Sequence, residues 1–199
     1  MTDQNNKHQQ KMQKLKAAVD NKIARATEER GQILVITGNG KGKSSSAFGT
    51  LIRTLGYGYK AGVAQFIKGA QSTGEELFLR DNPNVEYHVM GTGFTWETQN
   101  RDQDTEATLT LWEKAEQMLQ NPDLYLVVLD EITYVVNYGY LALEKLVTAL
   151  ENRPPEQTVI ITGRGAGSQL LAMADTVSEI KEVKHGFKAG LKARKGIEF

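Results

Sequence analysis

The sequence predicts an α/β fold: a three-layer, mostly parallel sheet of the P-loop NTPase (RecA-like) type, with an extra helix at the N-terminus. Three observations predict it. Apolar runs of strand length alternate with segments of helical spacing along most of the chain, the pattern that puts helices on the faces of a parallel sheet. The first such run, Ile33-Leu34-Val35-Ile36, feeds Thr37-Gly38-Asn39-Gly40-Lys41-Gly42-Lys43-Ser44-Ser45, a glycine loop that opens onto a helix-compatible segment. A later run, Leu124-Tyr125-Leu126-Val127-Val128-Leu129, is almost continuously apolar and ends in Asp130-Glu131, as a strand buried on both faces should.

Each element follows from local pattern. Residues 1–8 are polar and are expected to be disordered. From about Gln9 to Glu29, Met12, Leu15, Val19, Ile23 and Ala26 recur at helical spacing with lysines opposite. This amphipathic helix precedes the first strand, so it stands outside the core order of the fold. It either packs on its own domain or is an arm that covers a ligand or a neighbouring subunit. The P-loop helix runs from Ser46 to about Tyr57, and Gly62-Val63-Ala64-Gln65-Phe66-Ile67 is the next strand, ending in Lys68-Gly69. Thr73 to Arg80 suits a short helix, and Val85-Glu86-Tyr87-His88-Val89-Met90 alternates as a strand does. The glycine-bearing stretch Gly91-Thr92-Gly93-Phe94-Thr95-Trp96-Glu97-Thr98-Gln99-Asn100 carries two large aromatics, which are either a local plug or a platform for a flat ligand.

Asp104 to Gln120 reads as a helix through Ala107, Leu111, Ala115, Met118 and Leu119. Tyr140 to Glu151 suits another, stopped by Arg153-Pro154-Pro155. Thr158-Val159-Ile160-Ile161-Thr162 is a strand entering the turn Gly163-Arg164-Gly165, Leu170 to Met173 a short helix, and Thr176 to Ile180 a last strand. The domain organisation is therefore a tail and cover helix over residues 1–30, a P-loop domain over 31–181, and a basic tail over 182–199.

Composition bounds the class. The chain has 199 residues, enough for one domain with a substantial core. Lysine plus arginine and aspartate plus glutamate both number 24, so no net charge draws the protein to nucleic acid. With no cysteine, disulfides and thiolate metal sites are excluded. The apolar runs fall far short of the roughly 20 residues of a membrane span, and the polar N-terminus does not read as a signal peptide. The expected location is the cytoplasm, with no membrane and no nucleic-acid partner.

The chemistry lies in the loops. A glycine loop lets backbone N–H groups approach a polyphosphate at a helix N-terminus, with Lys43 as a point charge and the Ser44 hydroxyl offered to magnesium. The usual P-loop has a glycine five positions before the Gly-Lys pair, and here that position is Thr37, so the loop is one residue short. A plain glycine turn is the bland alternative. The Asp130-Glu131 pair resembles a Walker B strand end, whose carboxylate holds magnesium directly or through water; the bland alternative is an acidic pair capping the next helix. Because ligands of open α/β sheets bind at the carboxyl ends of strands, the P-loop, the Phe94/Trp96 loop, Asp130-Glu131 and Gly163-Arg164 should converge. Nucleotide and magnesium binding follow; the reaction does not.

Together, Gly38 to Ser45, Val63-Ala64-Gln65-Phe66-Ile67-Lys68-Gly69, Gly91 to Gln99, Val128-Leu129-Asp130-Glu131 and Thr162-Gly163-Arg164-Gly165 resemble the bacterial P-loop-type ATP:corrinoid adenosyltransferases. The shortened loop and Gly-Phe-Thr-Trp-Glu are the most discriminating parts of this resemblance. It implies transfer of the 5′-deoxyadenosyl group of ATP to Co(I) of a corrinoid, with release of triphosphate, in adenosylcobalamin synthesis or salvage. It also implies ATP reversed in the loop, so that C5′ faces the nucleophile. Gly38, Asn39, Gly40, Lys41, Gly42, Lys43, Ser44, Ser45 and Arg164 would bind ATP. Lys41 and Lys43 would act on the departing triphosphate, and Ser44, Asp130 and Glu131 would hold Mg2+. Phe94 and Trp96 would occupy the lower corrin face, excluding an axial ligand that disfavours Co(I). The resemblance further implies a homodimer, an N-terminal helix closing over the corrinoid, and an electron from reduced flavin or a reduced flavoprotein. Two other classes remain open at this point: a P-loop kinase or ATPase, which would release ADP and phosphate, and a nucleotide-dependent corrinoid carrier without turnover.

Overall fold

The computed structural model describes residues 2–67, 72–91 and 100–198. Six strands form one sheet: β1 (Ile33–Thr37), β2 (Lys60–Gln65), β3 (Val85–Val89), β4 (Leu124–Asp130), β5 (Thr158–Thr162) and β6 (Thr176–Glu179). Their spatial order is β3-β2-β4-β5-β1-β6. Every pairing is parallel, so the expected mostly parallel sheet is wholly parallel among the described residues. Parallel strands need crossovers, and helices supply them.

Period-two alternation sends neighbouring strand residues into two separate cores. Leu126, Val128 and Ile160 face α2 (Lys43–Gly56) and α3 (Gly74–Leu79) through Ala47, Phe48, Leu51 and Leu79. Val127, Leu129, Val159 and Ile161 face the opposite layer. That layer holds α4 (Arg101–Gln120), α5 (Ile132–Asn137), α6 (Leu143–Glu151) and α7 (Ser168–Met173). A 3-10 turn, Gly186–Ala189, follows β6.

Several boundaries moved. The P-loop helix begins at Lys43 instead of Ser46, because Gly42 takes a left-handed conformation and starts the helix at once. The helix expected from Tyr140 begins three residues later, at Leu143 in α6, and α5 is a further turn and a half that was not expected, followed by Gly139 at positive φ. The first helix, α1, spans Thr2–Arg25, so the predicted disorder is corrected for residues 2–8, which continue the amphipathic helix toward the N-terminus. Residues 5–30 are all exposed, including Met12, Leu15, Val19 and Ile23. Among the described residues the helix therefore does not pack on its own domain.

Candidate active site

The carboxyl ends of β1, β2, β4 and β5 open into one cleft of about 910 Å³. The P-loop, Gln65, Phe66, Asp130, Glu131 and Arg164 line it, so three of the four segments expected to converge, the P-loop, Asp130-Glu131 and the Arg164 turn, do so. Phe94 and Trp96 lie outside the described residues, as do Lys68 and Gly69.

The P-loop is braced by Ile180, the residue that follows β6. Ile180 N–H donates to Thr37 O at 2.8 Å, and Gly40 N–H donates to Ile180 O at 2.8 Å. At Gly38, φ is +102° and a Cβ would lie 2.3 Å from Ile180 O, so only glycine lets the loop lie this close to β6. Asn39 turns outward, where its Oδ1 accepts from Glu182 N–H at 3.1 Å. Ser44 is half-buried at the start of α2 and Ser45 is exposed beside it; both line the cleft. Gly42 caps α2 without a side chain and the first turn carries no acidic residue, leaving the positive helix end open to an anion.

Lys43 is buried, and its Nζ donates to Gly40 O at 2.9 Å. Burial holds its pKa below the ordinary lysine value; the carboxylates of Glu131 and Asp130 oppose that, while Arg164 adds to it. Lys41 is exposed, with Nζ 3.4 Å from Glu198 Oε1, so the carboxylate of the C-terminal segment stands where a phosphate charge would be attractive. Gly196, Ile197 and Glu198 form one wall of the cleft.

The two carboxylates differ. Asp130 is 4% exposed and both oxygens are engaged: Oδ1 accepts from Thr162 Oγ1 at 2.7 Å and Oδ2 from Gln65 Nε2 at 3.0 Å. Glu131 sits at φ 58°, a left-handed conformation rare outside glycine, asparagine and aspartate. Its Oε2 is buried with no hydrogen-bond partner among the described residues. Burial first, then the charge of Asp130, pushes its pKa up to about 7, against the pull of Lys43 and Arg164. An orphaned carboxylate oxygen facing a lysine and a P-loop is where a cation and phosphate belong. Among the described residues no group of three or more acidic or histidine side chains forms a metal cage. Magnesium does not need one, since it binds through one or two carboxylates plus phosphate and water.

Arg164 is exposed at the mouth, on a turn pinned from α5: Thr133 Oγ1 donates to Arg164 O at 2.8 Å and Asn137 Nδ2 to the same oxygen at 3.3 Å. Sequence reasoning missed Gln65, Thr162, Thr133 and the Glu198 segment. Gln65 and Thr162 carried a signal, being polar residues at the ends of otherwise apolar strands.

A glycine loop, a buried lysine at a helix start and a strand-end carboxylate, all at one edge of a parallel sheet, define a P-loop nucleotide-binding protein. Comparison with known proteins narrows this. Residues 29–199 match the family model described as ATP:corrinoid adenosyltransferase BtuR/CobO/CobP, and residues 1–23 match one described as the cob(I)alamin adenosyltransferase N-terminal segment. The chain is 54% identical to a corrinoid adenosyltransferase of Pseudomonas aeruginosa over 99% of its length and 98% of the relative. It is 54% identical to that of Salmonella typhimurium (97% and 98% covered), and 41% identical to that of a Sinorhizobium species (97% and 92%). The chain belongs to the ATP:corrinoid adenosyltransferase family, enzymes of adenosylcobalamin synthesis.

Proposed function

We propose that this cleft transfers the 5′-deoxyadenosyl group of ATP to a corrinoid cobalt. The cobalt(I) electron pair forms the Co–C5′ bond, the C5′–O bond breaks, and its electron pair leaves with triphosphate. Co(I) is a strong nucleophile that needs no protein base, so positioning and stabilisation of the leaving charge remain for the protein. The single observation that carries the reading is the buried Lys43 beside the unpartnered Glu131 oxygen at the P-loop. Lys43, Lys41, Arg164 and the loop from Gly38 to Ser45 hold the triphosphate. Ser44 and Glu131 would hold Mg2+, with Asp130 behind them or joined through water. Bound there, the ion neutralises part of the triphosphate charge. Phe94 and Trp96 cover the lower corrin face.

The exposed apolar stripe of α1 supports an arm that closes over the corrinoid or a partner subunit, in a homodimer. A reduced flavin or flavoprotein supplies the electron that makes Co(I). No described helix is long and apolar enough to cross a membrane, and the cytoplasm is the setting we assign. The deciding experiment is anaerobic incubation with MgATP and chemically reduced cob(I)alamin. Light-sensitive adenosylcobalamin and triphosphate in equal amounts support the reading. ADP or phosphate without a Co–C product overturns it.

A further inference from the structure

Three strands end in buried polar side chains, Gln65, Asp130 and Thr162, and the half-buried Tyr87 from the middle of β3 joins them in one hydrogen-bonded row. Tyr87 Oη on β3 donates to Gln65 Oε1 on β2 at 2.7 Å. Gln65 Nε2 donates to Asp130 Oδ2 on β4 at 3.0 Å, and Thr162 Oγ1 on β5 donates to Asp130 Oδ1 at 2.7 Å. The same Thr162 oxygen accepts from the Glu131 backbone N–H at 2.9 Å. Gln65, Asp130 and Thr162 are 4%, 4% and 0% exposed.

The directions of these bonds are mutually consistent: the Gln65 NH₂ donates to the Asp130 carboxyl, which leaves the Gln65 oxygen to accept from Tyr87. Burial raises the Tyr87 pKa, which keeps its proton in place. The Thr162 hydroxyl has one hydrogen and spends it on Asp130, leaving a lone pair for Glu131. The row therefore ends on the backbone of the one carboxylate residue, among the described residues, that is both left-handed and unpartnered at its tip. A left-handed glutamate is held there only if the surroundings over-determine it.

We propose that Gln65 and Thr162 are positioning residues of the adenosyl transfer: backed by Tyr87 they clamp Asp130, and Thr162 pins Glu131 so that its carboxyl enters the phosphate cleft. This rests on Glu131 serving the nucleotide-bound cation. On this account Asp130 anchors the site and Glu131 reaches the ligand.

The test is calorimetric titration of the full chain with ATP, with and without Mg2+, in the absence of corrinoid. Thr162→Val keeps the side-chain shape and loses both hydrogen bonds; Thr162→Ser keeps both. The Mg2+-dependent gain in ATP affinity is expected to fall about tenfold or more in Thr162→Val, the loss that follows from one misplaced charged contact. It should return in Thr162→Ser, and Mg2+-free ATP binding should be unchanged in both. Gln65→Met, read in the same titration, should weaken the gain in the same direction, and it stands as the test if Thr162→Val does not fold. Glu131→Gln separates the two layers of the argument. If Glu131→Gln loses the gain while folded Thr162→Val and Gln65→Met keep it, the positioning role is overturned and the cation reading stands. If Glu131→Gln keeps the gain, the cation reading falls and the proposal with it. Equal loss in Thr162→Val and Thr162→Ser, or an equal loss with and without Mg2+, also overturns the proposal in favour of a packing role.

Discussion

Glu131→Gln should stabilise the metal-free protein while disabling it. The wild-type carboxyl is pushed up to about 7 by burial and by Asp130, against an ordinary value of 4.5. Folded protein thus binds this proton more tightly than unfolded chain. Between pH 4.5 and 7 the native state carries more protons, so stability falls as pH rises through that window. Below it both states are protonated and nothing is lost; above it the full cost is present. At about 1.4 kcal/mol per tenfold change in protonation the cost is roughly 3 kcal/mol, reduced to about 2 by solvent at the cleft mouth. Glutamine keeps the shape and the left-handed backbone but carries no charge. For a chain of this size about 2 kcal/mol corresponds to about 4–8 °C in Tm. The assay is thermal unfolding in EDTA from pH 4 to 8, where the gain should be absent near pH 4 and complete at pH 8. Added MgATP should stabilise wild type more than the variant. A variant that melts with wild type at pH 8, or gains equally at pH 4, would refute a desolvated, unpartnered Glu131.

Three further outcomes are expected. Lys43→Ala should abolish ATP binding in titration calorimetry; retained affinity would remove the P-loop lysine from the site. Phe94→Ala with Trp96→Ala should impair adenosylation from Co(II) far more than from pre-reduced Co(I), whereas equal losses in the two assays would assign these aromatics to packing. Gly163→Ala should destabilise by about 1–3 kcal/mol in denaturant unfolding, as overpacking does: φ is +138° and the new Cβ would lie 2.0 Å from Thr133 Oγ1, the group that pins Arg164. An unchanged midpoint would mean that this turn gives way at no cost.

Membership of the family was legible in the chain before any contact was known, because its signals are local. Gly38 to Ser45 must be a glycine loop next to a strand, and Leu124–Asp130 must be a buried strand, since backbone freedom and apolar continuity are properties of neighbouring residues. The same locality explains what was misplaced. Polar residues 2–8 read as disorder because pattern reasoning looks for a buried face, and α1 has none in its own domain. The short helix α5 escaped because six residues directly after an apolar strand are too few to display a helical period.

By itself, then, the sequence determined the strands, the phosphate loop, the acidic strand end and the aromatic pair Phe94 and Trp96, all written in contiguous residues. Only the tertiary structure decided the surroundings of each acid. Asp130 and Glu131 are chemical near-equals in the chain. They differ because β2 and β5 flank β4 and bring Gln65 and Thr162 to Asp130, while the Glu131 oxygen is left facing Lys43 without a partner. Sheet order is a long-range property, set by which strands close the core together, and no local pattern carries it.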